Sequence, residues 1–122
     1  MPISINYNRK ENVIYTKAEG EIKLDDIFSY FSSLANLELK KGYCVFADYS
    51  DASPELSNED IRTMAMHRKR MVKTNDKIKV AVTCEKDLSF GLGRMYEMLA
   101  DKNNYHVTIF RDQAEGRKWL GI

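Results

Sequence analysis

A chain of 122 residues that is 43% hydrophobic can close a core without disulfides or metal, which argues against disorder. Its formal net charge of +1 supplies no global field to gather nucleic acid or an anionic membrane. No apolar run approaches the roughly 20 residues that span a bilayer, and Met1, Pro2, Ile3 and Ser4 do not begin a leader, so one cytoplasmic domain over residues 1–122 is expected.

The first strand signal is the alternation of Ile3, Ile5 and Tyr7 with Ser4, Asn6 and Asn8. A second β-rich run, Val13 to Ala18, follows Arg9 to Asn12 and is closed by Glu19 and Gly20, giving a hairpin. From Leu24 the period changes: Leu24, Ile27, Phe28, Phe31, Leu34 and Ala35 share one helical face, with Asp25 and Asp26 in the first turn and a stop near Asn36. Tyr43 to Tyr49 reads as a central strand bounded by Gly42 on one side and by Ser50 to Pro54 on the other.

Ser57 and Asp60 form a variant capping box, with Leu56 and Ile61 as its hydrophobic staple, and predict a helix from about Asn58 to Val72 that buries Ile61, Met64, Ala65 and Met71. Lys77 to Cys84 returns to strand alternation. Leu88, Leu92, Met95, Tyr96 and Leu99 repeat at helical spacing, with Asp87 or Ser89 as the cap. Tyr105 to Phe110 is the last strand, and Asp112 with Glu115 opens a terminal helix carrying Trp119 and Leu120. The order ββαβαβαβα implies an α/β domain: a mixed, mostly parallel sheet of about five strands flanked by about four helices, with right-handed crossovers.

The hairpin ending in Glu19, Gly20, Glu21, the strand Val45, Phe46, Ala47, Asp48, the stretch Phe90 to Glu97, and the ending Val107 to Ala114 with Trp119 and Leu120 together resemble the bacterial SpoIIAA-like proteins of the STAS-like superfamily. The resemblance runs in order over nearly the whole chain, through short motifs. It implies the STAS-like sheet-and-helix fold and a group of small, largely uncharacterised proteins. Anti-sigma factor antagonists of that superfamily carry a phosphorylatable Ser or Thr in an Asp-Ser-Ser-Gly-like turn before the second helix. Here that turn reads Ser53, Pro54, Glu55, Leu56, Ser57, Asn58, and Ser57 is read as a helix cap in preference to a phosphorylation site.

In open α/β sheets ligands gather outside the carboxyl ends of the strands. Asp48 and Ser89 fall there, and Gly91 and Gly93 sit in the first turns of the next helix, where each costs about 1 kcal/mol against Ala. Asp48, Ser89, Phe90, Gly91, Gly93 and Arg94 are therefore the candidate ligand-binding residues, offering amides, a hydroxyl and a guanidinium to an anion. The competing reading is that the glycines only admit a neighbouring strand. A dinucleotide fingerprint fails, because Tyr96 occupies the third glycine position.

Catalytic and metal templates fail as well. A phosphatase loop on Cys84 would need Arg where Phe90 stands, and a phosphoacceptor at Asp48 would need an acidic pair where the chain reads Asn6, Tyr7, Asn8, Arg9. Cys44 and Cys84 lie in strand-like runs and are expected to be reduced, buried thiols, and with only His67 and His106 besides, no metal is expected. The basic run His67 to Arg70, with Arg62 and Lys73, reads as the solvated side of its helix.

Two functions follow. One is a non-enzymatic regulatory module that contacts a protein partner or a second copy of itself through an apolar patch near Met66, Met95 and Met98. The other is a binding protein for a small anionic or amphipathic ligand, held in a pocket at the carboxyl ends of the strands. No cofactor, nucleic acid partner or membrane insertion is expected from either.

Overall fold

The computed structural model describes residues 2–73 and 76–122; Met1, Thr74 and Asn75 lie outside the described residues. Five strands form one sheet in the order β1-β2-β3-β4-β5. They are β1 (Ile3–Asn8), β2 (Val13–Ile22), β3 (Cys44–Pro54), β4 (Ile78–Thr83) and β5 (Tyr105–Phe110). The β1–β2 hairpin is antiparallel, and every later pairing is parallel.

The crossovers are helices α1 (Leu24–Ala35), α2 (Asn58–Met71) and α3 (Asp87–Ala100), and α4 (Gln113–Leu120) ends the chain. Each crossover advances one strand in the same direction, so crossovers of one hand fall on one face of the sheet. The larger core joins Val45, Ala47, Val80 and Val107 to Ile27, Phe31, Ile61, Met64 and Tyr96 of α1, α2 and α3. The opposite face carries a smaller cluster of Val13, Phe46 and Ala81 beneath Trp119 and Leu120 of α4. Strand alternation therefore sends Val45, Ala47 and Tyr49 toward the three helices, whereas Asp48 meets Gln113 of α4.

Capping follows the expected chemistry at two helices. Asp60 N donates to Ser57 Oγ and Ser57 N to Asp60 Oδ2, both at 3.0 Å, which closes the start of α2. Asp112 Oδ1 accepts from Glu115 N at 2.9 Å at the start of α4.

Four details differ from the sequence-based expectation. β2 and β3 continue to Ile22 and Pro54, because their parallel pairing resumes after a register shift between Lys17 and Glu19 and runs past the end of β4. Ser50 to Pro54 is thus strand where the strand was expected to have ended, and Pro54 sits at its last residue, where a missing N–H is tolerated. Neither Asp87 nor Ser89 caps α3: Lys86 holds that position without a side-chain hydrogen bond, Asp87 accepts from Arg111, and Ser89 is buried. Finally, the buried stripe of α2 is Ile61, Met64, Ala65 and Arg68, with Met71 only half-buried, so one residue of the basic run turns inward.

Candidate functional site

Between the sheet and α1, α2 and α3 lies an apolar cavity of about 100 Å³. Its floor is formed by Val45, Ala47 and Tyr49 of β3 with Val80 and Val82 of β4, and its roof by Phe31, Met64 and Leu92. Near the carboxyl ends of the strands the wall residues Pro54, Leu56, Val82 and Leu92 keep partial exposure, while Cys84 and Ser89 are buried. Those toward the opposite end, Val45, Arg68, Val80 and Tyr105, are buried. The cavity therefore opens between the N-terminal ends of α2 and α3 and is blind at the end holding Arg68.

Arg68 is 5% exposed. Its guanidinium carbon lies 5.6 Å from the Phe31 ring centroid and 5.5 Å from that of Tyr105. Its Nη2 is 3.5 Å from the Tyr43 hydroxyl. Among the described residues no carboxylate pairs with it, although a charge removed from water ordinarily keeps a counter-ion. It is the one charged side chain in the wall among the described residues.

The remaining polar groups are tyrosines, one thiol and one serine. The Tyr96 and Tyr105 hydroxyls are 3.0 Å apart, and Tyr30 shares a 2.8 Å hydrogen bond with Thr16. Burial pushes the Tyr30 hydroxyl up to about 12, against the lowering effect of Thr16. Burial, aided by the Asp48 charge, also pushes the Cys84 thiol up to about 12. Tyr49 and Tyr96 are raised by burial as well. At neutral pH Tyr30, Tyr49, Tyr96 and the Cys84 thiol are uncharged, and Arg68 supplies the charge of the wall.

The sequence-based candidates divide between two faces and the surface. Ser89 and Gly93 line the cavity. A Cβ on Gly93 would stand 3.1 Å from Ile109 Cγ2, so this glycine lets α3 approach β5, whereas Gly91 faces open space. Phe90 lies under the guanidinium of Arg111, 4.2 Å from ring centroid to Cζ. Arg94 is exposed and pairs with Glu97 at 3.2 Å. Asp48 lies across the sheet, accepting from Lys17 Nζ at 2.9 Å, Gln113 Nε2 at 3.0 Å and the Ser50 amide at 3.0 Å. Burial alone would raise the Asp48 carboxyl, but Lys17 and Ser50 outweigh it and hold it below its ordinary value. Ser57 is exposed, with its hydroxyl engaged in the cap.

Arg68 was missed because it sits inside a run of charges that reads as solvated. The available signal was its register: it falls seven residues after Ile61 and four after Met64, squarely in the apolar stripe of α2.

No protein-family model matches the chain, and no curated protein shows significant similarity to it. Among solved structures it is similar to an uncharacterised protein of the DUF3478 family with a SpoIIAA-like fold from Shewanella loihica PV-4. The two share 18% identity at a TM-score of 0.60, over 97% of this chain and 93% of that one. With an N-terminal hairpin, a parallel β2–β5 sheet and four helices among the described residues, the chain has a SpoIIAA-like fold.

Proposed function

We propose that the protein is a non-enzymatic binding domain for a small amphipathic molecule, housed in the cavity between the sheet and α1–α3. The observation that carries this reading is the cavity itself. Interiors pack to crystal density with few voids larger than a water, yet here about 100 Å³ opens where three helices meet the sheet. The opening lies at the carboxyl ends of parallel strands, the usual ligand position of open α/β sheets. Of the residues singled out from sequence, Ser89 and Gly93 belong to this site, and Arg68 takes the part first given to Arg94. The setting we infer is one domain in a reducing, cytoplasmic compartment, where Cys44 and Cys84 stay free. No helix among the described residues is long and apolar enough to cross a membrane.

Titration of the isotope-labelled protein with 1-octanol, followed by amide NMR, tests the reading. Saturable shifts at Ser89, Gly93 and Ala47 are expected. Shifts absent there, or confined to the outer surface, would refute it.

A second reading, a regulatory module that docks a protein or its own copy, is favoured by the exposure of Met98 at 78%, Leu88 at 69% and Met66 at 50%. Met95, expected in the same patch, is half-buried and packs on the core. Sedimentation equilibrium of the wild type against Met98→Glu separates it: association lost in the variant supports docking through Met98, and a monomer at all concentrations removes self-docking.

A further inference from the structure

We infer that the cavity takes a monocarboxylate with an apolar tail, its carboxylate buried against Arg68 and its tail directed to the opening near Leu56 and Leu92. This rests on the ligand-binding reading above and names the ligand's chemistry. Arg68 lies in the blind end with the Phe31 and Tyr105 rings 5.6 and 5.5 Å from its guanidinium carbon and no carboxylate partner among the described residues. Phenyl faces attract a cation but do not neutralise it, so the site is complete only when an anion enters.

The charge count selects the class. One buried guanidinium compensates one negative charge, whereas a dianionic phosphate would leave a second charge uncompensated in an apolar wall. Geometry agrees, because a planar guanidinium and a planar carboxylate pair through two parallel hydrogen bonds. The Tyr96–Tyr105 hydroxyl pair lies in the same wall, while Tyr43, outside it, accepts from Nη2 at 3.5 Å. The rest of the wall is dominated by Ile, Leu, Val and Met side chains, which suits an unbranched or aryl tail better than a sugar or nucleotide.

Isothermal titration of the wild type with octanoate, 1-octanol and octyl phosphate at pH 7.5 tests this without any variant. Octanoate is expected to bind on the order of 10- to 100-fold more tightly than octanol, the range of a charge-assisted hydrogen bond, and more tightly than the phosphate. From butyrate to octanoate the affinity should rise about fourfold per methylene until the tail reaches water. Arg68→Met, which keeps a long apolar side chain, should abolish the preference for octanoate while octanol still binds, and Arg68→Lys should restore part of it. Equal binding of octanoate and octanol to the wild type overturns the carboxylate assignment and leaves the cavity reading standing. Tighter binding of octyl phosphate overturns the monoanion assignment alone. Failure of all three ligands to bind overturns both.

Discussion

Replacing Arg68 by Met should make the ligand-free protein more stable. Removing a guanidinium from water costs several kcal/mol, and a buried charge is repaid only by close partners with good geometry. Here the partners are two aromatic rings at 5.5 and 5.6 Å, each returning about 0.5–2 kcal/mol, and a phenol at 3.5 Å, the outer limit of a hydrogen bond. Met keeps the reach of the alkyl stem, adapts to irregular space and carries no charge to desolvate. The expected gain is about 1–3 kcal/mol, within the gain of up to about 4 kcal/mol found when buried ion pairs give way to apolar residues. In a chain of 122 residues that corresponds to roughly 3–5 °C in Tm for each kcal/mol. Urea unfolding followed by circular dichroism measures it, with exposed Arg70→Met as a control expected to stay within about 0.5 kcal/mol. A loss of more than about 2 kcal/mol at unchanged m-value would show that the guanidinium holds the core together, and would refute the view that it is kept at a cost for an incoming anion.

Other substitutions separate packing from conformational preference. Gly91→Ala should stabilise by about 0.5–1 kcal/mol, since its Cβ enters open space in α3, whereas Gly93→Ala should fall about 1–2 kcal/mol below it because its Cβ meets Ile109; thermal melts of the two variants compare them. Ser57→Ala should cost about 1 kcal/mol through loss of the α2 cap and Ser57→Asp far less, and equal losses in thermal unfolding would contradict the cap. Asp48 is held below its ordinary value, so the folded state binds fewer protons than the unfolded one. Its contribution is complete above the unfolded value near 4 and fades as pH falls through the lower folded value. Urea midpoints should drop more steeply below pH 4 for the wild type than for Asp48→Asn. Native protein treated with a thiol reagent at pH 8 should modify Cys44 well before buried Cys84, whose thiol lies near 12, and denaturant should expose both; equal rates in the native protein would contradict the burial of Cys84.

The order of elements was readable in the chain because each rests on local rules. Period-two alternation marks Ile3 to Tyr7, helical spacing marks Leu24 to Leu34, and the reciprocal Ser57–Asp60 cap opens α2 within one residue of where the structure begins it. The strand ends were less legible, since Ser50 to Pro54 has a turn's composition and is held extended by pairing with a strand more than 30 residues earlier. The candidate site was legible only in part, through Ser89 and Gly93.

What the sequence by itself determined is the hydrophobic periodicity, the caps and hence the alternating α/β order. The tertiary structure alone decided which face each residue meets. It sent Asp48 to the α4 side, where Lys17 and Gln113 satisfy it, and turned Arg68 out of a charged run into the blind end of a cavity built by three helices and three strands. The physical reason is one of range: a period or a cap is set within a few residues, whereas a void and an unpaired buried charge exist only once distant segments have packed together.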